Sequence, residues 1–86
     1  MLYKDCIIRF IQTSTLDEHS RRWGNIVNGV SYVNEENAVK HPWIALVDRL
    51  SVYHSDLYRP GVVWSAYFCV GADTPKLALD LAKFLL

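Results

Sequence analysis

The chain has 86 residues, 51% of them apolar, and its nine Lys and Arg residues balance nine Asp and Glu residues. This length and composition suit one compact domain with a core of its own, so we predict a single domain over residues 1–86. Zero net charge disfavours a non-specific nucleic-acid binder, which usually carries an excess of basic residues. It also disfavours a protein that mimics DNA, which would be strongly acidic.

The first predicted element is a strand over residues 2–13. Large apolar side chains fall on both of its faces between Cys6 and Ile11. This pattern indicates a strand that is covered on both sides.

Two predictions compete for residues 22–33. Thr15 and Glu18 have the spacing of a capping box, which favours a helix that ends near Gly29. Alternatively, Asn28-Gly29 between apolar runs is a strong hairpin signal. The alternation of residues 30–33 favours the hairpin.

The middle of the chain predicts two helices. Asn34 can cap a short helix, and Pro42 ends or kinks it. Apolar residues at three- and four-residue spacing then predict an amphipathic helix over Trp43 to Leu57. They are Trp43, Leu46, Val47, Leu50, Tyr53 and Leu57. Arg59-Pro60-Gly61 is interpreted as a breaker before the next strand.

The last part of the chain predicts a strand over residues 62–70 and then a helix. Thr74 is the expected N-cap and Pro75 the first helical residue. Only Lys76, Asp80 and Lys83 are polar in this helix, so we expect it to fold back onto the sheet. It could also self-associate, and the residues that we assign to such a contact are Leu79, Ala82 and Leu86.

These elements predict an α+β fold. We expect a small sheet of two to four strands, mainly antiparallel, packed by two or three helices. The predicted order is β-(β-hairpin or α)-α-β-α.

The two cysteines, Cys6 and Cys69, lie within predicted strands. We interpret both as buried, unpaired thiols in a reducing compartment, although a disulfide could join them if their strands were neighbours. The first ten residues carry charges and resemble no signal peptide, and the stretch Gly61 to Ala72 is too short to cross a bilayer. A cytoplasmic protein without a membrane contact is therefore expected.

No motif predicts catalysis. His19, His41 and His54 lack metal-site spacing, and no Gly-x-Ser-x-Gly sequence is present. The four glycines are too scattered to form a phosphate-binding loop. We therefore expect a protein that is not an enzyme and that has no cofactor and no metal.

The sequence instead favours a protein-binding domain. Tyr and Arg are frequent at protein interfaces, and we assign the candidate contact to Tyr53, His54, Tyr58 and Arg59. Such a domain would act by occupying a surface of a larger partner, as small inhibitory or accessory proteins of phages and mobile elements do. The alternative is a nucleic-acid-associated protein with a local basic face of Arg21, Arg22, Trp23, Arg49 and Arg59.

Overall fold

The computed structural model describes residues 1–16, 32–55 and 58–86, with the backbone alone at 51–55 and 58–63. These residues form a four-stranded antiparallel sheet in the order β1-β2-β3-β4, together with two α-helices. The strands are β1 (Leu2–Tyr3), β2 (Cys6–Gln12), β3 (Trp43–Ser55) and β4 (Tyr58–Ala72), and the helices are α1 (Glu35–Ala38) and α2 (Pro75–Leu85). The predicted α+β class is confirmed.

The first predicted strand is divided by a turn. Lys4 and Asp5 both have positive φ angles, 48° and 62°, as the central residues of a tight hairpin do. As a result β1 folds back onto β2, with Leu2 opposite Ile7. The strand prediction is correct for β2, and the two residues at its start form a separate edge strand.

The predicted helix over Trp43 to Leu57 is wrong, because this segment is β3. Ile44 and Leu46 contribute to one cluster of buried residues, whereas Ala45 and Val47 contribute to another. Both faces of β3 are therefore covered at residues 44–47, and a strand segment of this kind has no regular polar position. Because apolar residues occur on both faces of the strand, some of them also fall at the three- and four-residue spacing that is typical of a helix.

Arg59-Pro60-Gly61 is likewise not a breaker, since all three residues lie within β4, with Gly61 opposite Tyr53. β4 is the last strand of the described sheet. A proline is tolerated on the outer edge of such a strand, where its missing N–H leaves no hydrogen bond unmade.

The sheet separates two clusters of buried side chains. On one face, Ala78 and Ala82 of α2 pack on the strands, which confirms that α2 folds back onto the sheet. The other face is covered by Tyr32 and Ala38. Cys6 belongs to the first cluster and Cys69 to the second, and both are buried and free, as predicted.

Local signals place α2 correctly. It begins at Pro75, and the Thr74 hydroxyl oxygen accepts a 3.2 Å hydrogen bond from the N–H of Leu77. Asn34 precedes α1 as predicted, but its backbone is left-handed, with a φ of 73°, and its side chain does not cap the helix. Its amide donates instead to the carbonyl of Cys69, at 3.2 Å, and so ties the start of α1 to β4.

The competing predictions for residues 22–33 lie outside the described residues, apart from Tyr32 and Val33. Val33 forms a parallel bridge with Phe68 on the outer side of β4. Thr15, the first residue of the expected capping box, lies in a 3₁₀ turn over Thr13–Thr15, and Glu18 falls outside the described residues.

Candidate functional site

The outer side of α2 exposes four large apolar side chains. Their exposed fractions are 49% for Leu77, 45% for Leu81, 85% for Phe84 and 56% for Leu85. At these helical spacings they lie along one side of the helix. We call these four residues the α2 face.

The α2 face results from the way the helix packs. Ala78 and Ala82 are fully buried and meet the sheet, so the contact surface of the helix is formed by small side chains. Leu79 and Leu86 pack partly buried beside them. The remaining large side chains have no room beneath the helix and stay on its outer side.

This placement corrects the residues that we assigned to self-association. Leu79, Ala82 and Leu86 pack against the sheet, and the exposed apolar residues of α2 are those of the α2 face. The sequence contained a usable signal, because alanines at i and i+4 allow a helix to approach a sheet closely. Self-association itself remains a prediction.

A cavity of about 310 Å³ adjoins the α2 face. It is lined by Val33, Asn34, Tyr67, Phe68, Cys69 and Leu85. Leu85 belongs both to this lining and to the α2 face, so the cavity and the face form one continuous apolar surface.

An irregularity in the sheet shapes this cavity. Val47 is opposite Phe68 whereas Asp48 is opposite Ala66, so Tyr67 is an extra residue in β4. The rings of Tyr67 and Phe68 meet edge to face, with centroids 5.0 Å apart. Tyr67 is thereby directed toward the cavity and stays 39% exposed.

Backbone hydrogen bonds hold Val33 at the rim of the cavity. Its N–H donates to the carbonyl of Tyr67 at 3.3 Å, and its carbonyl accepts from the N–H of Cys69 at 3.0 Å. The side chain of Val33 stays exposed, so it extends the apolar surface beyond β4.

Charged groups border the α2 face. Lys76, Asp80 and Lys83 follow one another along the polar side of α2, and the Lys83 ammonium lies 5.2 Å from the centroid of the Tyr3 ring. On the far side of the cavity, the Arg49 guanidinium lies 5.2 Å from the centroid of the Tyr67 ring. The apolar surface therefore has a polar border, as protein interfaces do.

A polar network lies on the opposite face of the sheet. Arg9 donates to the Asp48 carboxylate at 2.9 Å and to the Tyr32 hydroxyl at 3.2 Å, and that hydroxyl donates to Asp48 at 2.6 Å. Burial, followed by the hydrogen bond with Asp48, raises the pKa of Tyr32 to about 12. Tyr32 therefore remains neutral at physiological pH and serves to hold the chain onto the sheet.

Cys69 does not have the properties of a nucleophile. Burial, with a smaller contribution from the charge of Glu35, raises the pKa of its thiol to about 12. Nucleophilic catalysis requires the thiolate, and this group remains protonated near neutral pH.

The residues that we assigned to partner binding lie on the β3–β4 hairpin. Tyr53 and His54 are near the end of β3, and Tyr58 and Arg59 are at the start of β4. Ser55 is opposite Tyr58, so the hairpin brings all four backbone positions to its free end. In the sequence prediction, Tyr53 and His54 belonged to a helix that ended at Leu57, and Arg59 belonged to the breaker that followed it.

This end of the hairpin lies beyond the residues at which β2 pairs with β3. The last β3 residue bonded to the N-terminal strands is Leu50, whose N–H donates to the carbonyl of Asp5 at 3.0 Å. Beyond it, the described residues supply no third strand. We call residues 50–55 and 58–64 the arm.

The residues of the nucleic-acid alternative are only partly described. Arg21, Arg22 and Trp23 lie outside the described residues, Arg49 contacts Tyr67, and Arg59 is on the arm. The alternative therefore stays a prediction.

In the described ranges, no group of three or more His, Cys, Asp or Glu side chains is placed to hold a metal ion. Nor does this part of the chain contain a helix with the length and apolar character needed to span a bilayer. The chain matches no protein-family model, no curated protein and no solved structure at a significant level.

Proposed function

We propose that this chain is a small non-enzymatic protein-binding domain that presents the arm to a larger partner and acts by occupying a surface of that partner. Inhibitory and accessory proteins of phages and mobile elements act in this way, and we propose the same class for this chain. The observation that carries the proposal is that, within the described residues, the arm extends beyond the three-stranded part of the sheet.

The physics of a two-stranded ribbon supports a partner at this place. An isolated hairpin is at best marginally stable in water, and a third strand or another packed element is what stabilises it. The strands of the arm contain one residue with a formal charge, Arg59, among many apolar and aromatic ones. A solvated arm would normally carry more charge.

The composition of the arm also indicates the chemistry of the partner surface. Tyr side chains provide large contact areas, and an Arg guanidinium pairs well with carboxylates. We therefore expect a partner surface that is mainly apolar and has at least one carboxylate for Arg59.

The proposal can be tested with immobilised protein and a lysate of the source organism. We expect one or more proteins to be retained by the wild-type chain and lost in Tyr58→Ala and Arg59→Ala variants whose melting temperatures are nearly unchanged. Direct binding of the purified partner to the same variants then completes the test.

A Glu36→Ala variant is the matched control, because Glu36 is exposed on α1, away from the arm. It should retain the same proteins as the wild type. The arm would not be the contact surface if the arm variants retained the same proteins as the wild type. The same conclusion would follow if the Glu36→Ala control also lost them.

A further inference from the structure

The α2 face and the cavity form a surface of the size that protein association requires. Six residues contribute: Val33, Tyr67, Leu77, Leu81, Phe84 and Leu85. With large apolar residues taken at about 200 Å² each when fully exposed, their exposed fractions correspond to on the order of 700 Å². A standard interface buries about 800 Å² per partner, of which about two thirds is apolar in homodimers.

An exposed aromatic ring and a cavity lie side by side on this surface. Phe84, the most exposed of the six residues, is a protruding aromatic ring. The cavity begins at the next residue, Leu85. When a protrusion and a cavity lie side by side on one surface, two copies related by a two-fold axis can each insert the protrusion into the cavity of the other.

The charges permit the same arrangement. The net charge of the chain is zero, so no overall repulsion opposes the association of two copies. Along α2 the order is basic, acidic, basic, at Lys76, Asp80 and Lys83. These three residues border the α2 face, so a second copy can cover its apolar side chains without burying a charge that lies on it.

We infer that the α2 face binds a second copy of this chain across a two-fold axis, with Phe84 of each copy seated in the cavity of the other. This surface is distinct from the arm. The dimer would therefore leave two arms available for the partner proposed above.

Size-exclusion chromatography with light scattering, over a wide range of concentration of the full chain, tests this inference. The wild type is expected to have twice the 9.9 kDa mass of one chain. Phe84→Glu should have the mass of a single chain, because the glutamate would have to be buried in an apolar cavity. The high exposure of Phe84 means that this variant should fold, and its melting temperature verifies that it does.

Leu2→Glu is the matched control, since Leu2 is an equally apolar residue, 71% exposed, that lies on β1. This variant should remain dimeric. A monomeric wild type at every concentration, a dimeric Phe84→Glu, or a monomeric Leu2→Glu would each overturn the inference.

A second variant tests whether Phe84 binds in the cavity of the other copy, because it changes the cavity and leaves the sequence of α2 unchanged. Val33→Trp places a larger side chain at the rim of the cavity. We expect it to weaken the dimer by at least about tenfold in dissociation constant. An unchanged dissociation constant would show that Phe84 is not held in the cavity.

Discussion

The hydroxyl of Tyr32 donates a 2.6 Å hydrogen bond to the carboxylate of Asp48, and this bond joins β3 to the segment that precedes α1. Arg9 of β2 donates to both groups. The next residue, Val33, bridges to β4 and lines the cavity. The polar network on one face of the sheet therefore helps to position the wall of the cavity at its edge.

Tyr32→Phe should lower the free energy of unfolding by about 1–3 kcal/mol, because the partly buried Asp48 carboxylate loses a hydrogen bond. Urea denaturation measures the change. Tyr67→Phe is the control, and it should have little effect because the Tyr67 ring contacts persist without the hydroxyl. Equal stability of the wild type and Tyr32→Phe would contradict a stabilising role for the network.

Alkaline pH should destabilise the fold through Tyr32 and Cys69. The pKa of each is raised to about 12 in the folded state, from 10.0 and 9.0 respectively. A raised pKa stabilises the folded state fully below the unfolded pKa, and this contribution is lost as the pH rises toward the folded pKa.

The unfolding free energy should therefore fall between about pH 9 and pH 12. Measured against pH, it should fall less steeply in Tyr32→Phe and in Cys69→Ala than in the wild type. Parallel curves for all three proteins would mean that neither group titrates differently on folding.

Ala82→Leu should destabilise the protein by about 1–3 kcal/mol, because a larger side chain would force α2 away from the sheet. Ala82 has no exposed surface. Lys76→Leu, which adds a leucine at an exposed position of the same helix, should change the melting temperature little. Similar melting temperatures for the two variants would be inconsistent with close packing at Ala82.

Gly71→Ala should also destabilise the fold. An added Cβ would overlap the carbonyl oxygen of Ala38 and lie 2.8 Å from the Cβ of His41. The α1 end and β4 would have to separate, at a cost of about 1–3 kcal/mol. Asp73→Ala, at an exposed position two residues later, is the control in thermal unfolding. A Gly71→Ala variant as stable as this control would show that the backbone can shift freely here.

The accuracy of the sequence predictions depended on how local the decisive interaction is. Thr74 and Pro75 define the start of α2 through contacts within one turn, so the pattern was sufficient. β3 was mistaken for a helix because its partners lie far away in the chain, with Ile11 opposite Ile44 and Gly71 on the other side. The sequence grouped the candidate residues of the arm as one stretch, but it did not predict that they share the end of a hairpin, and their role in binding stays a prediction.

By itself, the sequence determined the α+β class, the start of α2, the burial of both cysteines and the return of α2 to the sheet. These features follow from capping chemistry and from apolar content, which are properties of neighbouring residues. Only the tertiary structure decided that residues 43–55 form a strand and that two alanines form the centre of the contact between α2 and the sheet. Strand pairing and helix packing depend on the shape of partners that are distant in the chain. The α2 face is exposed because the sheet packs against Ala78 and Ala82, on another side of the helix.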